Sequence, residues 1–223
     1  MKQKVLVIDV GGTHVKALAS GRRAIVQADS GPDLTPRQMA KRVLEMTGGW
    51  QYDAVSIGYP GPVVRGRIAR EPHNLGTGWV GFDFERAFGR PVRVINDAAM
   101  QAIGSYEGRR MLFLGLGTGL GTTLVRDGIV IPLELAHLPY EGGRTYEEVV
   151  GDASLHLIGL SRWRAHVARV AALLMDAVVA DYTVLGGGNV RHLTRMPART
   201  RRGANTNAMR GGFRLWRDDV VCT

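Results

Sequence analysis

The sequence predicts an α/β fold of two similar lobes, each built on a mixed sheet, facing each other across a cleft. Three observations predict it: a repeated Gly-rich hairpin, the same order of elements after each copy, and glycine clusters where strands end.

The segments VLVIDVGGTHVKAL (5–18) and MLFLGLGTGLGTTL (111–124) align without a gap, Leu6 on Leu112, Gly11 on Gly117 and Leu18 on Leu124. Each reads as an apolar strand, a Gly/Thr turn and a second strand, since glycine reaches the positive φ a tight turn needs. In the first half, residues 36–47 have helical spacing through Met39, Val43 and Leu44. Residues 54–57 then read as a strand ending at Gly58-Tyr59-Pro60-Gly61. In the second, residues 161–180 carry Trp163, Val167, Val170, Leu174 and Val178 on one helical face. Residues 183–185 follow as a strand closed by Gly186-Gly187-Gly188. Between the halves, 92–95 is a buried-type strand and 98–104 opens a helix that can link the lobes. The expected division is an N-terminal lobe of residues 1–107 and a C-terminal lobe of 108–223.

Composition sets outer limits. A chain of 223 residues holds one large domain or two small lobes. The single cysteine, Cys222, excludes an intramolecular disulfide framework and a Cys-rich zinc site, and fits a reducing compartment. The apolar run 5–8 stops at Asp9, too short for a signal-peptide core or a membrane span. The expectation is a cytoplasmic protein with no membrane association. Net charge is +9, almost all from arginine, which fits a GC-rich genome as well as a polyanion partner. Arg109-Arg110 and the stretch Arg199 to Arg202 are the local candidates for phosphate contact, and a basic track near a cleft mouth would suit a long anionic chain. No zinc spacing or RNA-binding motif accompanies them, so nucleic acid is not the expected partner.

Four motifs carry chemistry. Asp9-Val10-Gly11-Gly12-Thr13 places a carboxylate at a strand end before a glycine turn. Backbone N–H groups there can approach phosphate oxygens, Thr13 adds a hydroxyl, and Asp9 can hold Mg²⁺ directly or through water. An ordinary Asp-initiated turn is the alternative. The run 115–122, GLGTGLGT, is the second phosphate candidate or a ligand-free glycine hairpin, and it fits neither a dinucleotide fingerprint nor a P-loop. Asn96-Asp97 sits where a strand meets a helix. Asp97 is either an N-cap or a base that accepts a hydroxyl proton in phosphoryl transfer. Glu134-Leu135-Ala136-His137 puts two polar side chains at i and i+3, reading as half a metal site, a structural pair, or, with Glu147, a grip on sugar hydroxyls.

Together these motifs resemble the ROK family of sugar kinases and repressors, closest to the branch of polyphosphate glucokinase and related bacterial glucokinases. The resemblance spans residues 5–216, through DVGGT, GYPGPV (58–63), EPHNLGTGW (71–79), INDA (95–98), LGTGLG, ELAH and VLGGGN (184–189). It implies the two-lobed actin-like ATPase fold, which is ribonuclease H-like. It also implies transfer of a phosphoryl group from ATP or inorganic polyphosphate, with Mg²⁺, to the 6-hydroxyl of a hexose, glucose first. Asp97 is then the base. Asn74, Asn96, Glu134, His137 and Glu147 bind sugar hydroxyls, with Gly61 lining the pocket. Gly11, Gly12, Thr13, Thr118 and Gly119 bind transferable phosphates, with Gly187 and Gly188 near a nucleotide. Lobe closure and homodimers are further implications. Many members carry a Cys-rich zinc loop after the Glu/His motif; here it is deleted, so His137 is expected to be metal-free. A gap beside Glu147 leaves Glu148 as the alternative sugar ligand. The regulators of the family carry a DNA-binding region ahead of the kinase-like part; Asp9 standing nine residues in predicts none here. Other expected readings are a kinase for mannose, fructose or an amino sugar, and a sugar-binding protein without catalysis.

Overall fold

The computed structural model describes residues 3–204, 206–217 and 221–222. The first half gives β1 (Val5–Val10), β2 (His14–Ala19), β3 (Val26–Asp29), α1 (Pro36–Met46) and β4 (Ala54–Tyr59). The small hairpin β5 (Val63–Val64) and β6 (Arg67–Ile68), then α2 (Phe84–Phe88), β7 (Val92–Asn96) and α3 (Asp97–Ser105) complete it. The second half gives β8 (Met111–Leu116), β9 (Leu120–Arg126), β10 (Ile129–Leu133), a 3-10 turn (Leu135–His137), α4 (Tyr146–Val150) and α5 (Asp152–Ala177). It ends with β11 (Tyr182–Gly186), a second 3-10 turn (Gly188–His192), β12 (Thr200–Arg202), α6 (Asn207–Arg214) and β13 (Val221–Cys222).

Two mixed sheets result, ordered β3-β2-β1-β4-β7 and β12-β11-β8-β9-β10-β13. Their central strands follow one plan. A hairpin pairs antiparallel, and the strand after the first helical segment then lies parallel to the hairpin's first strand. The duplication expected from the hairpin alignment therefore holds in the strand pairing.

Period-two burial sets the layers. Leu6, Ile8 and Val10 pack with Met39 and Val43 of α1 and with Phe84 and Phe88 of α2. The alternate residues Val5 and Val7 pack with Ala99 and Ile103 of α3 and Ala208 and Met209 of α6. In the second sheet, Met111 and Phe113 face that same helical layer. Leu112, Leu114 and Leu116 face Trp163, Val167, Val170 and Leu174 of α5. Each such fully buried side chain contributes roughly 1.5–3 kcal/mol. The helices α3 and α6 thus lie between the sheets.

No helix is read from the sequence at α6, because Gly211 and Gly212 have low helix propensity. They are what the packing demands. A Cβ on Gly211 would stand 1.7 Å from the Met100 carbonyl oxygen, and one on Gly104 1.9 Å from that of Asn207. The close crossing carries α6 back onto the first sheet, where the Ser56 hydroxyl donates to the Gly212 carbonyl at 2.7 Å.

Two other readings need correction. The helix expected at 161–180 begins at Asp152, is interrupted at Gly159 (φ 77°) and ends at Ala177, so Val178 is its cap. Leu44, expected on the core face of α1, is 41% exposed; Met39, Ala40 and Val43 carry that face. The start of α1 follows its capping box, Thr35 with Gln38, and Pro36 in the first turn. Among the described residues no helix is long and apolar enough to cross a membrane.

Candidate active site

The carboxyl ends of the parallel strands β1, β4 and β7 lie side by side, Asp9 opposite Gly58 and Gly58 opposite Ile95. Open α/β sheets bind ligands in the crevice at such ends. The Asp9 carboxylate lies against the end of β4, since a Cβ on Gly58 would lie 3.5 Å from its Oδ1. Burial pushes the Asp9 carboxyl up, and the Lys16 ammonium opposes it. Lys16 is its antiparallel partner across the hairpin.

Asn96, not Asp97, is the N-cap of α3: its Oδ1 accepts from the Ala99 N–H at 3.1 Å. Its Nδ2 donates to the Gly61 carbonyl at 3.1 Å, fixing that loop against the helix start. Asp97 is thereby released from capping and held at the first helical position, accepting from the Ala98 N–H at 2.7 Å. Burial, then the Asp9 charge and more weakly Glu134, together raise its carboxyl to about 7, against the Ala98 N–H and its own, which lower it. Three acidic groups from three segments therefore share one field.

The first glycine turn is held from outside. The Ser30 hydroxyl donates to the Gly11 carbonyl at 2.6 Å, and the Ser30 N–H to the Thr13 carbonyl at 2.9 Å. The Thr13 hydroxyl has no partner among the described residues. Asn74 reaches this turn, with its Cβ 3.7 Å from where a Gly12 Cβ would stand.

The second glycine turn meets the site through Gly121, where a Cβ would lie 2.6 Å from the Ala98 methyl. Glycine there lets the hairpin sit over the start of α3. Thr118 is exposed, and the Glu147 carboxylate lies against Gly119 while accepting from the Leu120 N–H at 3.2 Å. Glu148 faces away and closes the capping box of α4 with Thr145. Of the two, it is Glu147 that the fold brings to the glycine turn. Glu134 precedes the 3-10 turn that carries His137, and both are exposed. Thr122 sets this turn, donating to the Leu133 carbonyl at 2.6 Å and accepting from the Leu135 N–H at 3.2 Å. His137 makes no side-chain hydrogen bond among the described residues.

The third glycine run divides. Gly187, at φ 83°, is pressed against the Leu116 backbone, whereas Gly188 has open space around its Cα. Buried Asn189 ties the run to the second turn, its Nδ2 donating to the Gly117 carbonyl at 3.2 Å and to Asp152 Oδ1 at 3.1 Å.

Lys16, Ser30 and Asp152 are missing from the site read from the sequence, and Thr122, inside the second glycine run, takes a role that run does not announce. Lys16 is within reach of the hairpin pairing; Ser30 and Asp152 depend on distant contacts. The Arg199 to Arg202 stretch is engaged within the fold. Arg199 donates to the Ala180 carbonyl and pairs with Asp176, Arg201 pairs with Glu107, and Arg202 donates to the Val190 and Leu193 carbonyls. Arg109 pairs with Asp181, and Arg110 donates to the Val179 carbonyl. Each of these cations thus has a partner, Arg201 reaching across to Glu107 of the first half, while Arg109 and Arg201 stay exposed.

Duplicated mixed-sheet lobes, two glycine hairpins and a carboxylate at the connecting helix define the actin-like ATPase fold. The chain belongs to the ROK family, whose model matches residues 5–132. The polyphosphate glucokinase of Mycobacterium tuberculosis is 28% identical over 211 residues, covering 81% of this chain and 76% of that protein. The crystal structure of an inorganic polyphosphate/ATP-glucomannokinase from Arthrobacter sp. strain KM superposes with a TM-score of 0.79 at 21% identity, covering 95% of this chain and 97% of that one. A ROK family glucokinase from Streptomyces griseus, solved with glucose and AMPPNP, gives 0.73 at 17% identity, with 95% and 98% covered. A ROK family transcriptional regulator gives 0.71 at 13%, with 96% and 78% covered.

Proposed function

We propose that the chain is a hexose kinase that moves a phosphoryl group from ATP or inorganic polyphosphate to the 6-hydroxyl of a hexose, glucose first. Because a regulator shares the fold, the reading rests on the site. The observation that carries it is Asp97, a carboxylate freed from capping in the strand-end crevice and held at about 7 by burial and its acidic neighbours. A base with that proton affinity is matched to neutral pH.

In this reading Asp97 accepts the proton of the sugar hydroxyl as its oxygen bonds to the transferred phosphorus and the bond to the donor's remaining phosphate breaks. Asn74, Asn96, Glu134, His137 and Glu147 orient the sugar, with Gly61 at the pocket wall. The turns at Gly11, Gly12, Thr13 and at Thr118, Gly119 present N–H and hydroxyl donors to the phosphates, which is where most of the catalysis in phosphoryl transfer arises. Gly188, with open space, lies toward the nucleotide where one is used, and Gly187 supports it.

Mg²⁺ suits Asp9 because this ion binds through one or two carboxylates plus substrate phosphates, and a cation there relieves the repulsion between Asp9 and Asp97. Bound there, it would neutralise charge on the donor phosphates. Among the described residues no three His, Cys, Asp or Glu groups converge to hold a metal by themselves. The two lobes are taken as 1–107 and 108–223, with α6 crossing back, and the protein as a cytoplasmic homodimer.

The test is glucose 6-phosphate formation by purified protein with Mg²⁺ and glucose, ATP against polyphosphate. Product with either donor supports the kinase. Silence with both donors across a panel of hexoses, with glucose still bound, would replace it with a sugar-binding protein.

A further inference from the structure

Many arginines in this basic chain are taken up by carbonyls or carboxylates, as in the 199–202 stretch. Others, among them Arg23, Arg37, Arg162 and Arg195, have no such partner among the described residues, and the β5–β6 hairpin groups three of that kind beside the site. Arg65, Arg67 and Arg70 are exposed, and their side chains make no ion pair or hydrogen bond among the described residues. The nearest acid in sequence, Glu71, is occupied, accepting from the Trp79 and Val80 N–H groups at 3.0 and 3.1 Å. The turn itself is defined. Arg65 (φ 50°) and Gly66 (φ 74°) both lie in the left-handed region, as a two-residue hairpin turn matched to strand twist requires. The Tyr59 hydroxyl donates to the Arg70 carbonyl at 2.8 Å and anchors the returning strand.

The hairpin stands beside the site. It leaves two residues after Gly61, which Asn96 holds at the start of α3, and packs on β7, the strand that ends next to Asp97. The chain then returns to Asn74 beside Gly12.

We propose that Arg65, Arg67 and Arg70 are a docking rail for a linear inorganic polyphosphate donor. This rests on the hexose-kinase reading and names its donor. A triphosphate ends within the two glycine turns; a longer chain continues past them and needs cations outside. Three arginines with no acidic partner, on a turned hairpin at the crevice, supply fork-shaped donors for successive phosphates.

The experiment compares wild type with the R65Q/R67Q/R70Q variant, all three positions being exposed. KM is measured for long-chain polyphosphate, tripolyphosphate and ATP at saturating glucose. With three contacts releasing about 0.7 counterion each, the wild-type KM for the long chain should rise roughly 20-fold between about 50 and about 200 mM salt. The variant should lose most of that dependence and show a KM for the long chain raised about tenfold at low salt, with tripolyphosphate and ATP within about twofold of wild type. Equal changes for all three donors, or none, would overturn the rail. So would a wild type that uses ATP but not polyphosphate, which leaves the kinase intact. A wild type inactive with every donor and hexose would remove the kinase and the rail with it.

Discussion

Replacing Asp97 with Asn should make the protein more stable at neutral pH while abolishing turnover. The Asp97 carboxyl stands at about 7 instead of an ordinary 3.8, so the folded state disfavours its charge. Below about pH 4 both folded and unfolded chains hold the proton and no penalty exists. As pH rises towards 7 the unfolded chain releases a proton that the folded one keeps, so wild-type stability falls; above 7 the penalty is constant. At about 1.4 kcal/mol per tenfold change in proton affinity, the penalty grows by about 3 kcal/mol between about pH 5 and pH 8. The partial exposure of Asp97 lowers this to about 2 kcal/mol. Asn does not titrate, so the stability gap between variant and wild type should widen by that amount over the same range. For a chain of this size the corresponding rise in relative Tm is about 4–8 °C. Urea unfolding of both proteins at about pH 5, 6, 7 and 8 measures it, alongside kcat and glucose affinity. A gap that does not change with pH would refute a buried, charge-disfavoured Asp97. Near-normal kcat in the variant would remove it as the base, since turnover should drop by orders of magnitude with sugar binding largely kept.

The pH–rate profile follows from the same group. With a base at about 7, kcat should fall about tenfold from pH 8 to pH 6, and Glu134→Gln, removing one repelling charge, should move that limb to lower pH at saturating sugar. Lys16→Met should raise KM for the phosphoryl donor about tenfold with little change in glucose affinity by calorimetry, because it removes the cation opposite Asp9; an unchanged donor KM would place Lys16 outside the site. Glu147→Ala should weaken hexose use, while Glu148→Ala should lose only the capping-box contact with Thr145, read as a small drop in urea midpoint with activity kept. The opposite pattern would move the sugar ligand to Glu148.

The strand ends of the site are readable because short-range rules fix them. A carboxylate before glycines, as at Asp9, and Asn-Asp between an apolar strand and an Ala-rich helix, as at Asn96 and Asp97, need only period-two burial and capping chemistry. Lys16 is also within reach, being the residue an antiparallel pairing sets opposite Asp9, but only if hairpin register is used to place side chains as well as strands. Ser30, Thr122 and Asn189 are not readable. Each acts through a hydrogen bond to a backbone carbonyl, distant in sequence for Ser30 and Asn189 and on the next hairpin strand for Thr122, and any hydroxyl or amide looks alike before folding sets its neighbours. The arginines mislead for a related reason. A run of like charges marks a surface track only when carbonyls and carboxylates do not take it up, and the carbonyls that hold Arg199 and Arg202 come from Ala180, Val190 and Leu193.

The duplication itself explains why one crevice does chemistry and not two. The ungapped match that sets Leu6 on Leu112 also sets Asp9 on Gly115 and Lys16 on Thr122. Backbone donors for phosphate come with the turn, so both halves have them. The carboxylate and the cation opposite it exist only in the first. In the second, glycine at 115 removes the acidic side chain, and Thr122 uses its hydroxyl to fix the segment that carries Glu134. A second carboxylate at position 115 would bring further negative charge towards a field in which Asp9 and Glu134 already raise Asp97. That would push the base above the pH at which it can work. Two copies of one hairpin therefore take different roles. In the proposed reaction the first sets the charge at the reacting oxygen, and the second closes over α3 and places the residues proposed to hold the sugar.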